Sequence, residues 1–189
     1  MLDKNEVLYT YFRRVRQLTL FCAIIFLSIF MEVSYMIRLA EEKDIEDILR
    51  LLVQVNMVHH IARPDLFNGP ATKYTYNELK EIINDPLRPI FVYDSGKVLG
   101  YAFCIHQQHI NDNILTDVKT LYIDDLCVDE EARGKHIGHM LYDYVIDYAK
   151  KNNYYNVTLN VWEGNDSAMA FYKSVGLKVQ KVGMECILK

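Results

Sequence analysis

One stretch of the sequence combines residue types and spacing suited to anion chemistry. Leu126-Cys127-Val128 ends an apolar run, and Asp129-Glu130-Glu131-Ala132 makes a short polar turn. Arg133-Gly134-Lys135-His136-Ile137-Gly138-His139 then leads into a stripe of Ile137, Met140, Leu141, Tyr144, Val145 and Tyr148 at helical spacing. A strand that ends in such a turn and continues as a helix aims unpaired backbone N–H groups at one point. The positive end of the helix dipole points there too, so a phosphate or pyrophosphate can sit at it. Gly134 and Gly138 would let the backbone approach that anion closely. A plain tight strand-to-helix turn uses the same glycines, so this segment alone admits both readings.

Other residues offer proton chemistry. Asp124 and Asp125 are neighbours in one apolar run. Alternation sends them to opposite faces of a strand, so only one meets a given cleft unless a bulge intervenes, and Asp124 shares its face with Leu126. His59 and His60 are adjacent and cannot chelate one ion from the same helix face. The four cysteines, Cys22, Cys104, Cys127 and Cys186, have no CxxC or Cys/His spacing. No metal site is therefore expected, and the cysteines fit reduced, buried thiols. Asp129, Glu130 and Glu131 have the look of a solvated turn.

The elements that must position these residues follow from periodicity and breakers. A short strand is expected over 36–40, a helix opening at 41–44 and running on through apolar positions to Met57, and an irregular loop over 59–72, where Pro64, Gly69 and Pro70 fall. A helix over 75–84 is stopped by Pro86. Strands over 90–93 and 97–106 flank the turn signal Asp94-Ser95-Gly96. A strand over 121–128, a helix over 137–150, a strand over 155–161 and a helix over 166–174 come next, and strands over 177–182 and 184–188 close the chain. This order mixes antiparallel hairpins with one parallel crossover.

Composition narrows the function. Of 189 residues, 51% are apolar and 24% charged, which suits a folded core, and the net charge of -4 lacks the excess of basic residues that binding nucleic acid demands. Residues 1–35 differ from the rest. A basic stretch, Arg13-Arg14-Val15-Arg16, precedes an uncharged apolar run over 18–31 that is shorter than the roughly 18–20 residues of a membrane-spanning helix. We expect residues 1–35 to be an apolar extension outside the fold and 36–189 to be the domain, able to fold and act from Met36 onward.

Strand, then Arg133-Gly134-Lys135-His136-Ile137-Gly138, then helix, then a strand ending Asn160-Val161-Trp162, then Asn165-x-x-Ala168-x-x-Phe171-Tyr172-x-x-x-Gly176-Leu177 resembles the GNAT superfamily of acyl-CoA-dependent N-acetyltransferases. The resemblance covers about residues 36–189 in element order and is sharpest over 122–177. It implies an α/β (α+β) fold with a mixed, mostly antiparallel central sheet, flanking helices and a V-shaped cofactor cleft. It also implies acetyl-CoA as cosubstrate and no metal. Leu126, Cys127 and Val128 would pair with the pantetheine arm as a surrogate strand. Arg133, Gly134, Lys135, His136, Ile137, Gly138 and His139 would hold the pyrophosphate, and Asn165 would bond the cofactor arm while capping its helix. His136 stands where the family's first motif glycine is usual; with a negative φ it would still offer its N–H.

By the same resemblance Tyr172 is the general acid near the thioester sulfur, the Leu126 N–H polarises the carbonyl, and Asp124 matches the carboxylate of polyamine-acetylating relatives as the base. The expected activity is acetylation of a primary amine (a polyamine, an amino acid or a protein amine) by direct attack in a ternary complex. The expected setting is the cytoplasm, with no nucleic acid or membrane partner and a monomeric or homodimeric state. Two alternatives are a CoA-binding regulatory module without turnover and a membrane-anchored acyltransferase. Acceptor choice is expected in the region of His59, His60, Arg63, Asp65, Phe67, Lys73 and Tyr74, with His106 and His109.

Overall fold

The computed structural model describes residues 36–188. The apolar run over 18–31, Cys22 and the boundary placed at residue 35 lie outside the described residues. Strands β1 (Ile37–Leu39), β2 (Ile90–Asp94), β3 (Val98–Gln107), β4 (Thr120–Val128) and β5 (Asn156–Leu159) form one sheet in the order β1-β2-β3-β4-β5. Neighbours run antiparallel except β4 and β5, which are parallel. Helices α1 (Ile45–Ala62) and α2 (Tyr76–Ile83) connect β1 to β2, α3 (Ile137–Lys151) crosses from β4 to β5, and α4 (Asp166–Ser174) follows β5.

Strand alternation divides the core between the two faces of the sheet. Phe91, Ala102, Cys104, Leu121 and Ile123 pack with Ile137, Leu141 and Val145 of α3. Val92, Tyr101, Phe103 and Cys127 pack with Ile45, Ile48, Leu51 and Leu52 of α1 and Leu79 and Ile82 of α2. Gly100 sets how closely α3 approaches. A Cβ there would lie 2.9 Å from the Cys127 carbonyl oxygen and 3.1 Å from Leu141 Cδ1, so a side chain would push the helix off the sheet.

Local chemistry fixes the element ends. Thr75 and Glu78 form a capping box at the start of α2, with the Thr75 N–H donating to Glu78 Oε2 at 2.7 Å and the Glu78 N–H to Thr75 Oγ1 at 3.3 Å. Arg38 donates to both oxygens of Asp44, at 2.7 and 2.9 Å, and to Asp94, joining β1, the entry to α1 and the end of β2. The first helix begins as a 3-10 turn over Glu42–Asp44 and runs on to Ala62, so the irregular loop starts later than its residues suggest.

Two expectations are corrected here. The strands over 177–182 and 184–188 do not form: those residues carry no regular structure, and Val179, Val182, Met184, Ile187 and Leu188 are exposed. Alternation says which face a strand would show, but a ladder also needs an edge to receive it. The tail is held by Arg63 instead, whose guanidinium donates to Glu185 Oε1 at 2.5 Å. Asp129 is not part of a solvated turn. Its side chain is 2% exposed, and Arg50 of α1 donates to its Oδ2 at 2.5 Å.

Asp129 anchors the end of β4. Its N–H donates to the Leu99 carbonyl at 2.9 Å, its Oδ1 accepts from the Glu131 N–H at 3.2 Å, and Gln54 Oε1 accepts from the Glu130 N–H at 3.1 Å. Arg50 and Gln54, one turn apart on α1, thus clamp the segment that leads to residues 133–139. Burial alone would raise the Asp129 carboxyl, but the Arg50 hydrogen bond and charge outweigh it and hold the carboxyl below its ordinary range. Such a group stabilises the fold above its unfolded value near 4, and that contribution is lost as pH falls through the folded value. Asp129→Asn should cost about 2 kcal/mol at pH 7 in urea unfolding. The deficit should shrink as pH falls below about 4, where the unfolded state takes up a proton that the native carboxylate binds only at still lower pH; a deficit independent of pH would contradict the charged anchor.

Candidate active site

Parallel pairing of β4 with β5 starts at Thr120 and Asn156 and ends at Ile123 and Leu159, where β5 stops. β4 continues for five more residues, 124–128, of which 125–128 pair with β3 alone. Beyond Ile123 the strands part, leaving the β5-facing edge of β4 without a ladder partner among the described residues. Leu126, Cys127 and Val128 lie on this edge, where the expected V-shaped cofactor cleft would open.

A register shift occurs where the strands part. Phe103 faces Asp125 while Cys104 faces Ile123, so Asp124 is an extra residue on β4. This bulge breaks the simple alternation that would send Asp124 and Asp125 to opposite faces. Tyr101 Oη donates to Asp125 Oδ2 at 2.8 Å, whereas Asp124 Oδ2 accepts from Lys73 Nζ at 2.7 Å and from Tyr74 Oη at 3.4 Å. Both carboxylates therefore meet groups from the side of the sheet that carries α1 and α2. Burial pushes the Asp125 carboxyl up to about 6, with the Asp124 charge adding to the rise and the Tyr101 hydrogen bond and Lys73 charge opposing it.

The turn after β4 has the features its residues suggest. No backbone N–H from residues 134–139 finds an acceptor among the described residues, and no side chain caps α3. The Arg133 side chain folds back, its Nε donating to the Val128 carbonyl at 3.3 Å. A Cβ at Gly138 would meet Phe171 and Val128 at an ordinary 3.7 Å, so the protein itself has room for a side chain there. The bare backbone at Gly138 leaves space beside six free N–H groups, which fits a phosphate-bearing ligand.

His136 departs from expectation. It occupies the left-handed region at φ 61° and ψ 11°, the conformation of a glycine, rather than a negative φ. A residue with a Cβ is strained there. Its ring lies 5.7 Å from that of His139, which packs edge-on against Phe171 of α4 at 4.9 Å.

The second half of the site comes from α4. Asn165 caps it, with Oδ1 accepting from the Ala168 N–H at 3.2 Å and from Ser167 Oγ at 3.1 Å. Its side-chain N–H groups have no acceptor among the described residues. Tyr172 stands beside Phe171 with ring centroids 5.1 Å apart. Burial raises its phenol well above the ordinary value, and the Asp125 charge adds to the rise, so the hydroxyl keeps its proton at neutral pH.

The remaining candidates divide. His59, half-buried and lowered by burial and then by the Lys73 charge, stacks on Phe67 at 5.1 Å; Phe67 meets Trp162 edge-on at 5.3 Å. His60 Nδ1 bonds the Phe67 carbonyl at 2.7 Å, so both histidines shape the loop wall. Among the described residues no cluster of three or more His, Cys, Asp or Glu could hold a metal ion. Cys104 and Cys127 are buried, as expected, and burial pushes the Cys127 thiol up to about 12; Cys186 is exposed, against expectation. Arg50, Gln54 and Tyr101 were not among the residues singled out from the sequence. The polar pair at i,i+4 on α1 was the available signal for the first two; Tyr101 had none.

Residues 55–177 match the family model described as the acetyltransferase (GNAT) family. The chain is 31% identical over 106 residues to peptidyl-lysine N-acetyltransferase YjaB of Salmonella typhimurium, covering 54% of this chain and 60% of that protein. It is 26% identical over 153 residues to the uncharacterized N-acetyltransferase MJ1207 of Methanocaldococcus jannaschii, covering 79% and 63%. The chain thus spans less than two thirds of the length of these curated relatives. Among solved structures, a mutant of the BH1408 protein from Bacillus halodurans superposes with a TM-score of 0.77 at 32% identity, covering 81% of this chain and 99% of that one.

His136→Gly should stabilise the protein by about 1 kcal/mol, read as a higher urea midpoint at unchanged slope, because the strained left-handed φ is relieved. A lower midpoint would mean that the His136 ring contributes more packing than the backbone loses in strain. Asp125→Asn tests the buried carboxyl. A raised acid favours the fold while protonated, and that advantage is lost as pH rises through about 6. The variant should therefore gain on the wild type in urea midpoint between pH 5 and pH 8, and a constant difference would remove Asp125 as the titrating group.

Proposed function

We propose that this chain, which belongs to the GNAT acetyltransferase family, transfers an acetyl group from acetyl-CoA to a primary amine by direct attack in a ternary complex. The observation that carries the reading is the run of backbone N–H groups over 134–139 and the β4 edge just before it, neither of which has a partner among the described residues. A pyrophosphate joined to an extended amide-bearing arm needs both features together. Acetyl-CoA, when bound, supplies the acetyl thioester.

Each residue then has a task. Arg133, Gly134, Lys135, His136, Ile137, Gly138 and His139 hold the pyrophosphate, and Leu126, Cys127 and Val128 pair with the pantetheine arm. The free Asn165 amide N–H groups bond the same arm while Oδ1 keeps its cap. The Leu126 N–H polarises the thioester carbonyl, Asp124 takes the proton of the acceptor ammonium, and Tyr172 gives a proton to the departing thiolate. Tyr172 suits that role because burial keeps its phenol protonated. A cysteine acyl carrier is not needed, and the Cys127 thiol, buried and raised, is a poor nucleophile.

An acceptor carrying a positive charge suits the Asp124 carboxylate, and likeness to a protein named a peptidyl-lysine N-acetyltransferase supports a lysine-type amine. No helix among the described residues is long and apolar enough to cross a membrane. Acetyl-CoA is supplied in the cytoplasm, which makes that compartment the fitting one. We retain residues 36–189 as the catalytic domain.

Gly138→Asp should fold, since a Cβ fits there, yet should weaken CoA binding by more than about tenfold in calorimetry by setting a carboxylate against phosphate. Unchanged affinity would remove the pyrophosphate site from this turn. In a thiol-release assay with acetyl-CoA and a panel of amines, Tyr172→Phe should lower kcat and leave CoA affinity nearly intact. Full kcat with chemistry rate-limiting would end the assignment of Tyr172 as the acid.

A further inference from the structure

The base proposed above already carries a primary amine. Lys73 Nζ lies 2.7 Å from Asp124 Oδ2, across 51 residues of sequence, and Tyr74 Oη approaches the same oxygen at 3.4 Å. Asp124 is 16% exposed and Lys73 46%, so the carboxylate is enclosed while the lysine stem borders solvent. Lys73 belongs to the irregular segment between α1 and α2. An acceptor amine must present its nitrogen beside the base, two residues along β4 from Leu126, where the strands part. The Lys73 ammonium occupies that position.

Resting on the acetyltransferase reading, we propose that Lys73 is a self-acetylation site, the protein's own first acceptor. The Lys73 ammonium gives a proton to Asp124, and the neutral nitrogen attacks the acetyl thioester of acetyl-CoA. A C–N bond forms, the C–S bond breaks, and the thiolate leaves as CoA thiol with the proton of the Tyr172 hydroxyl. The proton on Asp124 returns to the Tyr172 phenolate through solvent, and the second proton that the nitrogen loses on becoming an amide passes to solvent, so the products are an amide on Lys73, free CoA and one released proton. The amide has no positive charge to pair with Asp124, and the carboxylate becomes available to an external amine.

Geometry favours Lys73 over other lysines. Lys80 pairs with Glu42 and Lys150 with Asp147, both on helix surfaces away from β4. Burial lowers the Lys73 ammonium and the Asp124 hydrogen bond and charge more than reverse this, so it stays protonated until the base accepts its proton.

The test incubates the purified full chain with acetyl-CoA and no added amine, and maps acetylation by peptide mass spectrometry. Acetyl-Lys73 should form at a rate independent of protein concentration, at least about tenfold faster than acetyl-Lys80 or acetyl-Lys150, as for an amine held beside its base. Tyr172→Phe and Asp124→Asn, each checked for native circular dichroism, should both lose that excess. Modification of Lys73 no faster than of Lys80, a rate that rises with protein concentration, or an undiminished rate in both variants would overturn the proposal. The same preparation is assayed for thiol release with the amine panel. Turnover of an added amine with Lys73 unmodified defeats the self-acetylation inference alone. No thiol release with any amine and no acetyl-Lys73 defeats the enzymatic reading and the inference with it.

Discussion

The parting of β4 from β5 is the constraint on which the rest of this molecule depends. Parallel strands normally share hydrogen bonds along their common length, but here β5 ends at Leu159 while β4 runs on to Val128. Residues 125–128 of β4 keep β3 on one side and have no ladder partner on the other among the described residues. An open edge next to a buried core invites a partner, and an extended amide-bearing ligand satisfies it as another strand would. The Asp124 bulge lies at the same point, so a single irregularity ends the pairing and turns two carboxylates toward the α1–α2 side.

Holding that geometry requires anchors on both faces. On one, Gly100 lets Ile137 and Leu141 pack close to the sheet, which sets the height of the first turn of α3. On the other, Arg50 and Gln54 of α1 seize Asp129 and Glu130 just past the end of β4. Between these anchors the chain passes residues 134–139, whose backbone N–H groups find no acceptor among the described residues. His136 bears a backbone strain that glycine would not, which this firmly pinned turn can sustain.

Charge at the site is arranged by environment as well as by residue type. Asp124 and Asp125 are chemically alike and adjacent. One lies against Lys73 and the other beneath Tyr101 in a drier setting that raises it to about 6. Tyr172 is raised by burial and then by the nearby Asp125 charge, which keeps the proton on its hydroxyl. Two like carboxylates with different neighbours can do different work.

The sequence by itself determined the element order as far as α4, the antiparallel sheet with one parallel crossover, the turn at 133–139 and the span of α4, which matches its expected 166–174. These are local properties: periods of 2 and 3.6, capping residues and breakers within a few positions of one another. Tertiary structure alone decided the bulge at Asp124, the burial of Asp129, the Lys73 ion pair, the left-handed backbone at His136 and the absence of strands after α4. Each of these rests on which distant segment arrives at a given place. Lys73 reaches Asp124 across 51 residues and Arg50 reaches Asp129 across 79, and no pattern within either segment encodes the meeting. The apolar alternation over 177–188 likewise specified two faces but could not supply an edge, because a strand's free energy comes from its partner as much as from its own residues.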